Sequence, residues 1–135
     1  MKTRLIDGKD YVFCEWRRKF VRLTPEEWVR QTFLNRLVTD YAFPSERIAV
    51  EVQMTGKRAD AIVYDRNLRP LMLLEFKADT VALTQKTLDQ ATVYNRQLHV
   101  PYLILSNGRQ TVVAKIDENK INFLETIPQW TQLSN

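Results

Sequence analysis

Apolar residues recur at helical spacing in two stretches of the chain. The first predicts a helix over residues 25–41, with Thr24 as N-cap and Pro25 in the first turn. The second predicts a helix over residues 85–98, with Thr84 as its cap. The predicted buried stripes are Phe33, Leu34, Leu37, Val38 and Tyr41 in the first helix, and Leu88, Ala91, Tyr94, Asn95 and Leu98 in the second.

Alternating or continuous apolar runs predict strands between and after these helices. Residues 71–74 are apolar on both faces, as in a central strand covered from two sides. The predicted strands are 48–54, 59–64, 71–77, 102–106, 111–116 and 121–124. A helix separates the third strand from the fourth, so these two should be parallel. The order predicts an α/β (α+β) fold with a mixed central sheet flanked by helices.

The remaining segments carry weaker signals. Before the first helix, residues 1–22 form a basic lead-in with one predicted strand near residues 11–13, and Pro128 is expected to begin a short terminal helix. No repeat or linker divides the 135 residues, so we predict a single domain over residues 1–135. No apolar run reaches membrane-spanning length, and charges begin too early for a secretory signal, which predicts a cytoplasmic protein without a membrane partner.

Composition narrows the chemistry that the chain can perform. A single Cys14 excludes an internal disulfide and multi-cysteine zinc sites, and a single His99 excludes two-histidine metal motifs. Any catalysis must therefore use carboxylates, lysine, hydroxyls or amides. Cys14 and His99 are interpreted as structural residues.

The formal net charge is +4, which permits a nucleic-acid partner without requiring one. Four cations lie within six residues that contain no acid: Arg17, Arg18, Lys19 and Arg22. This segment is either a solvated basic surface or a contact for a phosphate backbone.

Glu75 and Lys77 are anomalous, because they end the most apolar strand of the chain. Residues two apart in a strand point to the same side, so their side chains should project together. If strands 59–64 and 71–77 form an antiparallel hairpin, positions whose numbers sum to about 135 face each other. Asp60 then lies opposite Glu75, about 5 Å away at Cβ. The alternative is a salt-bridged pair at a fraying strand end.

Two opposed carboxylates repel each other unless a positive charge lies between them. A divalent cation is one solution, and the neighbouring Lys77 is another. Few carboxylates and no softer ligands favour Mg²⁺, with Mn²⁺ as a substitute.

Two helices could contribute further residues. Gln90 and Tyr94 stand one turn apart on the second helix and could point toward the cluster, although Gln90 could equally be solvated and Tyr94 part of the core. Glu27 could complete the acidic cluster, but a capping box with Thr24 explains it without any site.

At this point the sequence resembles the PD-(D/E)XK nuclease superfamily and, more closely, the N-terminal nuclease domain of type I restriction enzyme R subunits. The resemblance is carried by Asp60, by Glu75-Phe76-Lys77 and by the helix bearing Gln90. The stretches that carry it are 23–31, 57–65, 73–78, 88–95 and 101–108. The motif's proline is replaced by Ala59, whereas all of its charged positions are present.

The resemblance implies a restriction-endonuclease-like core and a site. By this resemblance Asp60 and Glu75 bind Mg²⁺, Lys77 orients or activates the attacking water, and Gln90 supports the site or the nucleic acid. Glu27 matches a helix glutamate that completes the acidic cluster in many members. The residues predicted to contact nucleic acid are Arg17, Arg18, Lys19, Arg22, Lys57, Arg58 and Tyr94.

The leading hypothesis is therefore a metal-dependent DNA endonuclease-like domain that hydrolyses phosphodiester bonds. The chain has no P-loop, so it lacks the motor of an R subunit. The alternatives are a non-catalytic nucleic-acid-binding or scaffold module that retains the nuclease fold, and a structural domain with a buried ion-pair network. Expected partners are DNA and other restriction or repair subunits. The sequence does not determine the oligomeric state, and a homodimer is one of the options.

Overall fold

Thr24 and Pro25 begin the first helix as the sequence predicts. In the computed structural model, which describes residues 1–118 and 120–133 apart from the side chains of Tyr94 and Gln97, α1 is Pro25–Tyr41 and α2 is Gln85–Leu98. Thr24 Oγ1 accepts a hydrogen bond from the Glu27 N–H, and Thr84 forms a complete capping box with Thr87. A short helix, α3, is Trp130–Leu133.

Nine strands form two sheets in the part of the chain that the structure describes. The first sheet has the order β1-β2-β3 and the second the order β4-β5-β6-β7-β8-β9. Their bounds are β1 Thr3–Ile6, β2 Lys9–Cys14, β3 Lys19–Arg22, β4 Ile48–Met54, β5 Lys57–Tyr64, β6 Pro70–Phe76, β7 Tyr102–Ser106, β8 Thr111–Asp117 and β9 Lys120–Leu124. Only β6 and β7 are parallel among these pairs, and α2 connects them as predicted.

Alternating side chains of the larger sheet supply two hydrophobic clusters. Met72, Leu74 and Ile104 pack with α1 and α3, whereas Leu73, Leu103 and Leu105 pack with α2. Helices thus cover both faces of a mixed sheet, which confirms the predicted fold class.

The N-terminal segment differs from the prediction of a lead-in with a single strand. Asp7 and Gly8 both have positive φ, at 50° and 76°, which allows a tight reversal between β1 and β2. The predicted strand near residues 11–13 lies within β2, but β1 and β3 were not predicted, and this reversal and the β2–β3 hairpin build a three-stranded sheet. Two strand ends also differ. β5 begins at Lys57, which pairs with Met54, two residues before the predicted start at residue 59. β6 ends at Phe76, so Lys77 follows the strand instead of ending it.

No helix among the described residues is long and apolar enough to span a membrane.

Candidate functional site

The β5–β6 hairpin brings Asp60 and Glu75 together in the predicted register. Ala61 faces Leu74 and Ile62 faces Leu73, so the numbers of the paired residues sum to 135. Beyond the last of these pairs, Asp60 Oδ2 accepts a hydrogen bond of 2.7 Å from the Phe76 N–H. This bond fixes the Asp60 carboxylate at the carboxyl end of β6, next to Glu75.

Glu75 is buried and carries an unfavourable charge. Its burial, together with the negative charge of Asp60, raises the pKa of Glu75 to about 7. An ion pair with Lys57, 2.9 Å from Nζ to Oε1, opposes this rise without cancelling it. Two carboxylates are therefore held close together, and the charge of Lys57 offsets only part of their repulsion.

The lysine that contacts Glu75 is Lys57, which the sequence analysis assigned to nucleic-acid binding. Lys77 is half-buried, and its backbone N–H donates to the Ser106 carbonyl at 3.0 Å. Among the described residues, the Lys77 ammonium forms no ion pair. The predicted catalytic role of Lys77 stays a prediction.

Glu27 is also buried, but its carboxylate is fully engaged. Arg17, Arg30 and Gln31 all donate hydrogen bonds to it, the last at 2.9 Å. Burial alone would raise the pKa of Glu27, but these three hydrogen bonds and the charge of Arg30 outweigh burial and lower it. Thr24 still caps the backbone of α1, so Glu27 combines half of a capping box with an ion-pair cluster.

Arg30 connects this cluster to the hairpin, because its Nη1 lies 3.4 Å from the Asp60 carbonyl oxygen. Its Nε is the one buried side-chain polar atom without a hydrogen-bond partner among the described residues. A small pocket of about 170 Å³ lies between α1 and the hairpin. It is lined by Thr24, Glu26, Glu27, Arg30, Glu51, Asp60 and Phe76.

Glu51 belongs to this pocket and was missed by the sequence analysis. It has a positive φ of 51°, and the pairing of β4 with β5 is interrupted there, while the register is the same on both sides: Val50 lies opposite Ala61 and Val52 opposite Ala59. Its carboxylate binds Arg17 at 2.7 Å and Arg58 at 3.5 Å. A strictly alternating sequence gave no sign of this interruption. The spacing of Glu27 and Arg30, three apart on a helix, could have indicated their contact.

The other predicted residues are dispersed. The Gln90 side chain is exposed and makes no hydrogen bond with any described residue, and the side chain of Tyr94 lies outside the described part. Arg18 and Lys19 are exposed, and Arg22 projects from β3 over the Tyr11 ring. Arg17 does not extend into solvent, since its side chain is 16% exposed and binds Glu27 and Glu51.

The side chains at this site provide only part of the oxygen ligands that a small hard cation such as Mg²⁺ needs. Within residues 1–118 and 120–133, no group of three or more His, Cys, Asp and Glu side chains is arranged to hold a metal ion. Asp60 and Glu75 alone supply carboxylate oxygens, and Mg²⁺ commonly takes one or two protein carboxylates and keeps several waters. The mutual repulsion of the pair is the observation that favours a cation there.

A family model and two solved structures that resemble this chain all come from restriction enzymes. The family described as "Type I restriction enzyme R protein N terminus" has a model that matches residues 25–128. A fragment structure titled as an HsdR subunit of a type I restriction enzyme from Vibrio vulnificus YJ016 is similar, with a TM-score of 0.62 and 19% identity over 82% of this chain and 24% of that chain. The type IIG restriction endonuclease BpuSI is similar with a TM-score of 0.53 and 21% identity over 77% of this chain and 12% of that chain.

At these identities the two structures support the fold alone. This chain spans about a quarter of the first protein and about an eighth of the second. No curated protein matches the chain.

Proposed function

Because the chain belongs to the family of type I restriction enzyme R protein N termini, we propose that it is a metal-dependent DNA endonuclease domain of the PD-(D/E)XK superfamily. The reaction is hydrolysis of a phosphodiester bond. The proposed partners are DNA and further restriction or repair subunits. The observation that carries the proposal is the convergence of Asp60 and Glu75 at the end of the β5–β6 hairpin, with the pKa of Glu75 raised to about 7.

In this proposal Asp60 and Glu75 hold the Mg²⁺ ion. A bound Mg²⁺ supplies Lewis-acid stabilisation of the phosphate charge and lowers the pKa of coordinated water. The Phe76 N–H keeps the Asp60 carboxylate oriented, and Lys57 limits repulsion within the pair before a cation arrives. Lys77 follows Phe76 directly and forms no ion pair among the described residues, which leaves its ammonium available to a scissile phosphate.

Cleavage of supercoiled plasmid and of single-stranded DNA in Mg²⁺ or Mn²⁺ tests the proposal. We expect cleavage by the unaltered protein and a loss of at least about 100-fold in Lys77→Ala, because one fixed charge near the transition state contributes on that order. Lys86→Ala removes an exposed lysine from α2 and should cleave normally. Absence of cleavage on every substrate, or full cleavage by Lys77→Ala, would contradict the proposed enzyme.

Metal binding can be measured without activity. Mn²⁺ at about 100 times its dissociation constant should stabilise the folded protein by about 2.7 kcal/mol, since only the folded chain presents the carboxylate pair. Thermal unfolding at pH 8 should therefore shift upward with Mn²⁺. The shift should vanish in Asp60→Asn and persist in Asp65→Asn, whose carboxylate caps the β5–β6 loop. An Mn²⁺ response in Asp60→Asn equal to that of the unaltered protein would argue against the assigned ligand.

A second candidate function is a non-catalytic nucleic-acid-binding module that retained the fold. The observation that favours it is Glu27, whose carboxylate is already neutralised by Arg17 and Arg30. This reading predicts DNA binding that survives Asp60→Ala, together with no cleavage in any metal.

A further inference from the structure

The outer face of the N-terminal sheet is built from aromatic and cationic side chains. Strand pairing places Arg4 opposite Tyr11, Tyr11 opposite Arg22, and Phe13 opposite Phe20. Residues directly opposite each other on neighbouring strands share a face of the sheet, and so do residues two apart within one strand. These paired residues therefore all lie on one face. We call it the N-terminal platform, and its aromatic and cationic members are Lys2, Arg4, Lys9, Tyr11, Phe13, Phe20 and Arg22, with Ile6 opposite Lys9 on the same face.

The two faces of this small sheet have different environments. Val12 and Cys14, on the opposite face, are completely buried. The three aromatic residues of the platform are instead partly exposed, and its four cations are exposed. The platform is therefore an open surface of the described chain and not a hidden part of its core.

The charge of the platform has one sign. No acidic residue occupies a strand position on this face, because Asp10 alternates to the opposite face. Asp7 lies in the β1–β2 turn and Glu15 lies in the loop after β2. A polyanion that lies across the strands would meet Lys2, Arg4, Lys9 and Arg22 without passing an opposing charge.

The rings and the cations are already arranged in layers. Phe13 and Phe20 meet edge to face with centroids 5.3 Å apart. The Arg4 guanidinium lies 4.3 Å from the Phe20 centroid, and Lys2 Nζ lies 5.8 Å from it. Arg22 lies 5.7 Å from the Tyr11 centroid. Such planar groups offer stacking surfaces to unpaired bases, on the ring or on the guanidinium, while neighbouring cations contact the phosphates.

We propose that the N-terminal platform binds single-stranded DNA, with bases stacked on its aromatic and guanidinium groups and the backbone held by its cations. A duplex would use only the cations, because its bases are stacked on each other. The platform precedes residues 25–128, so the family match does not assign it. It deepens the proposed nuclease function by naming the substrate class, but its binding activity needs neither Asp60 nor Glu75.

The residues of the platform differ from the basic segment, residues 17–22, that the sequence indicated as a phosphate contact. Arg17 is held by Glu27 and Glu51, and Lys19, opposite Cys14, belongs to the other face. Arg22 alone of that segment joins the platform. The matched comparison is therefore Arg4→Ala on the platform against Lys19→Ala on the opposite face, since each removes one exposed cation from the same sheet.

Fluorescence anisotropy with labelled oligodeoxythymidine in EDTA, which prevents cleavage, measures this binding. We expect Phe20→Leu to weaken binding about tenfold, because leucine keeps an apolar contact but loses the stacking surface. Arg4→Ala should weaken binding at low salt and reduce the slope of log affinity against log salt by about 0.7. Lys19→Ala should retain the affinity of the unaltered protein, and a duplex of the same length should bind more weakly.

Equal affinity for duplex and single strand, normal binding by Phe20→Leu, or equal losses in Arg4→Ala and Lys19→Ala would each overturn the proposed platform. Far-ultraviolet circular dichroism of each variant identifies any that fails to fold. Arg4→Lys then serves as the milder substitution, and it should keep the salt slope but lose affinity for the single strand. Normal binding without cleavage in Mn²⁺ would uphold the platform and reject the nuclease, whereas cleavage without platform binding would do the reverse.

Discussion

Replacing Glu27 with alanine is expected to lower the free energy of unfolding by about 3–5 kcal/mol, the usual effect of removing one partner from a buried ion-pair cluster. The Glu27 side chain is 7% exposed, and it accepts hydrogen bonds from Arg17, Arg30 and Gln31. Without it, Arg30 keeps only its 3.4 Å contact with the Asp60 carbonyl oxygen, and its Nε is already unpartnered. Urea unfolding should show a lower midpoint with an unchanged slope.

Glu26→Ala is the matched control, because Glu26 is exposed in the same helical turn. Its loss should stay below about 1 kcal/mol, the size of a helix-dipole contribution. The lowered pKa of Glu27 gives the difference a pH dependence. A carboxylate whose pKa is depressed on folding stabilises the protein above its unfolded pKa and loses that contribution as pH falls through the folded pKa. Equal losses in the two variants at neutral pH would contradict the assigned cluster.

Replacing Glu75 with glutamine should have two opposite effects: a gain in stability at alkaline pH and a loss of cleavage. Because burial and the charge of Asp60 raise the pKa of Glu75 from 4.5 to about 7, the folded protein holds a proton that the unfolded chain releases in that interval. Stability therefore falls as pH rises from about 4.5 to about 7 and stays reduced above it. Glutamine cannot ionise, so it removes this penalty, on the order of 3 kcal/mol.

In EDTA at pH 8, the midpoint temperature of thermal unfolding should therefore be higher for Glu75→Gln than for the unaltered protein. Below about pH 4.5 the two midpoints should approach each other. Glu125→Gln, at an exposed position, should follow the unaltered protein at every pH. Cleavage in Mn²⁺ should fall by at least about 100-fold in Glu75→Gln, because one of the two proposed carboxylate ligands is lost. Lower stability of Glu75→Gln at pH 8 would contradict the electrostatic reading of this pair.

Much of the fold follows from local rules that the sequence displays. Thr24 and Thr84 start the two long helices as predicted, because caps and helical periodicity act within a few residues. The hairpin register that faces Asp60 with Glu75 was also predictable, since the β5–β6 loop fixes it. The N-terminal sheet was missed although Asp7-Gly8 is a strong hairpin signal between residues 3–6 and 9–14.

The side-chain partners within the site were less predictable. Nothing in the local sequence of Arg17 indicates that a hairpin loop will direct it toward Glu27 and Glu51. Glu51 has a positive φ within an apparently regular strand, and alternation of polar and apolar residues does not predict such a backbone conformation. Lys57 rather than Lys77 contacts Glu75 because pairing with Met54 places Lys57 at the start of β5. These contacts depend on tertiary packing between segments distant in the sequence.

The hairpin that unites Asp60 and Glu75 has a consequence for the route of folding. Only fourteen residues separate the two carboxylates, whereas the parallel pairing of β6 with β7 must await the α2 crossover. Contacts of low sequence separation generally form with the smaller loss of chain entropy. Repulsion between the acids would then oppose an early step of assembly and slow folding more than it accelerates unfolding. The residues proposed to hold the metal would also set the speed at which the sheet is assembled.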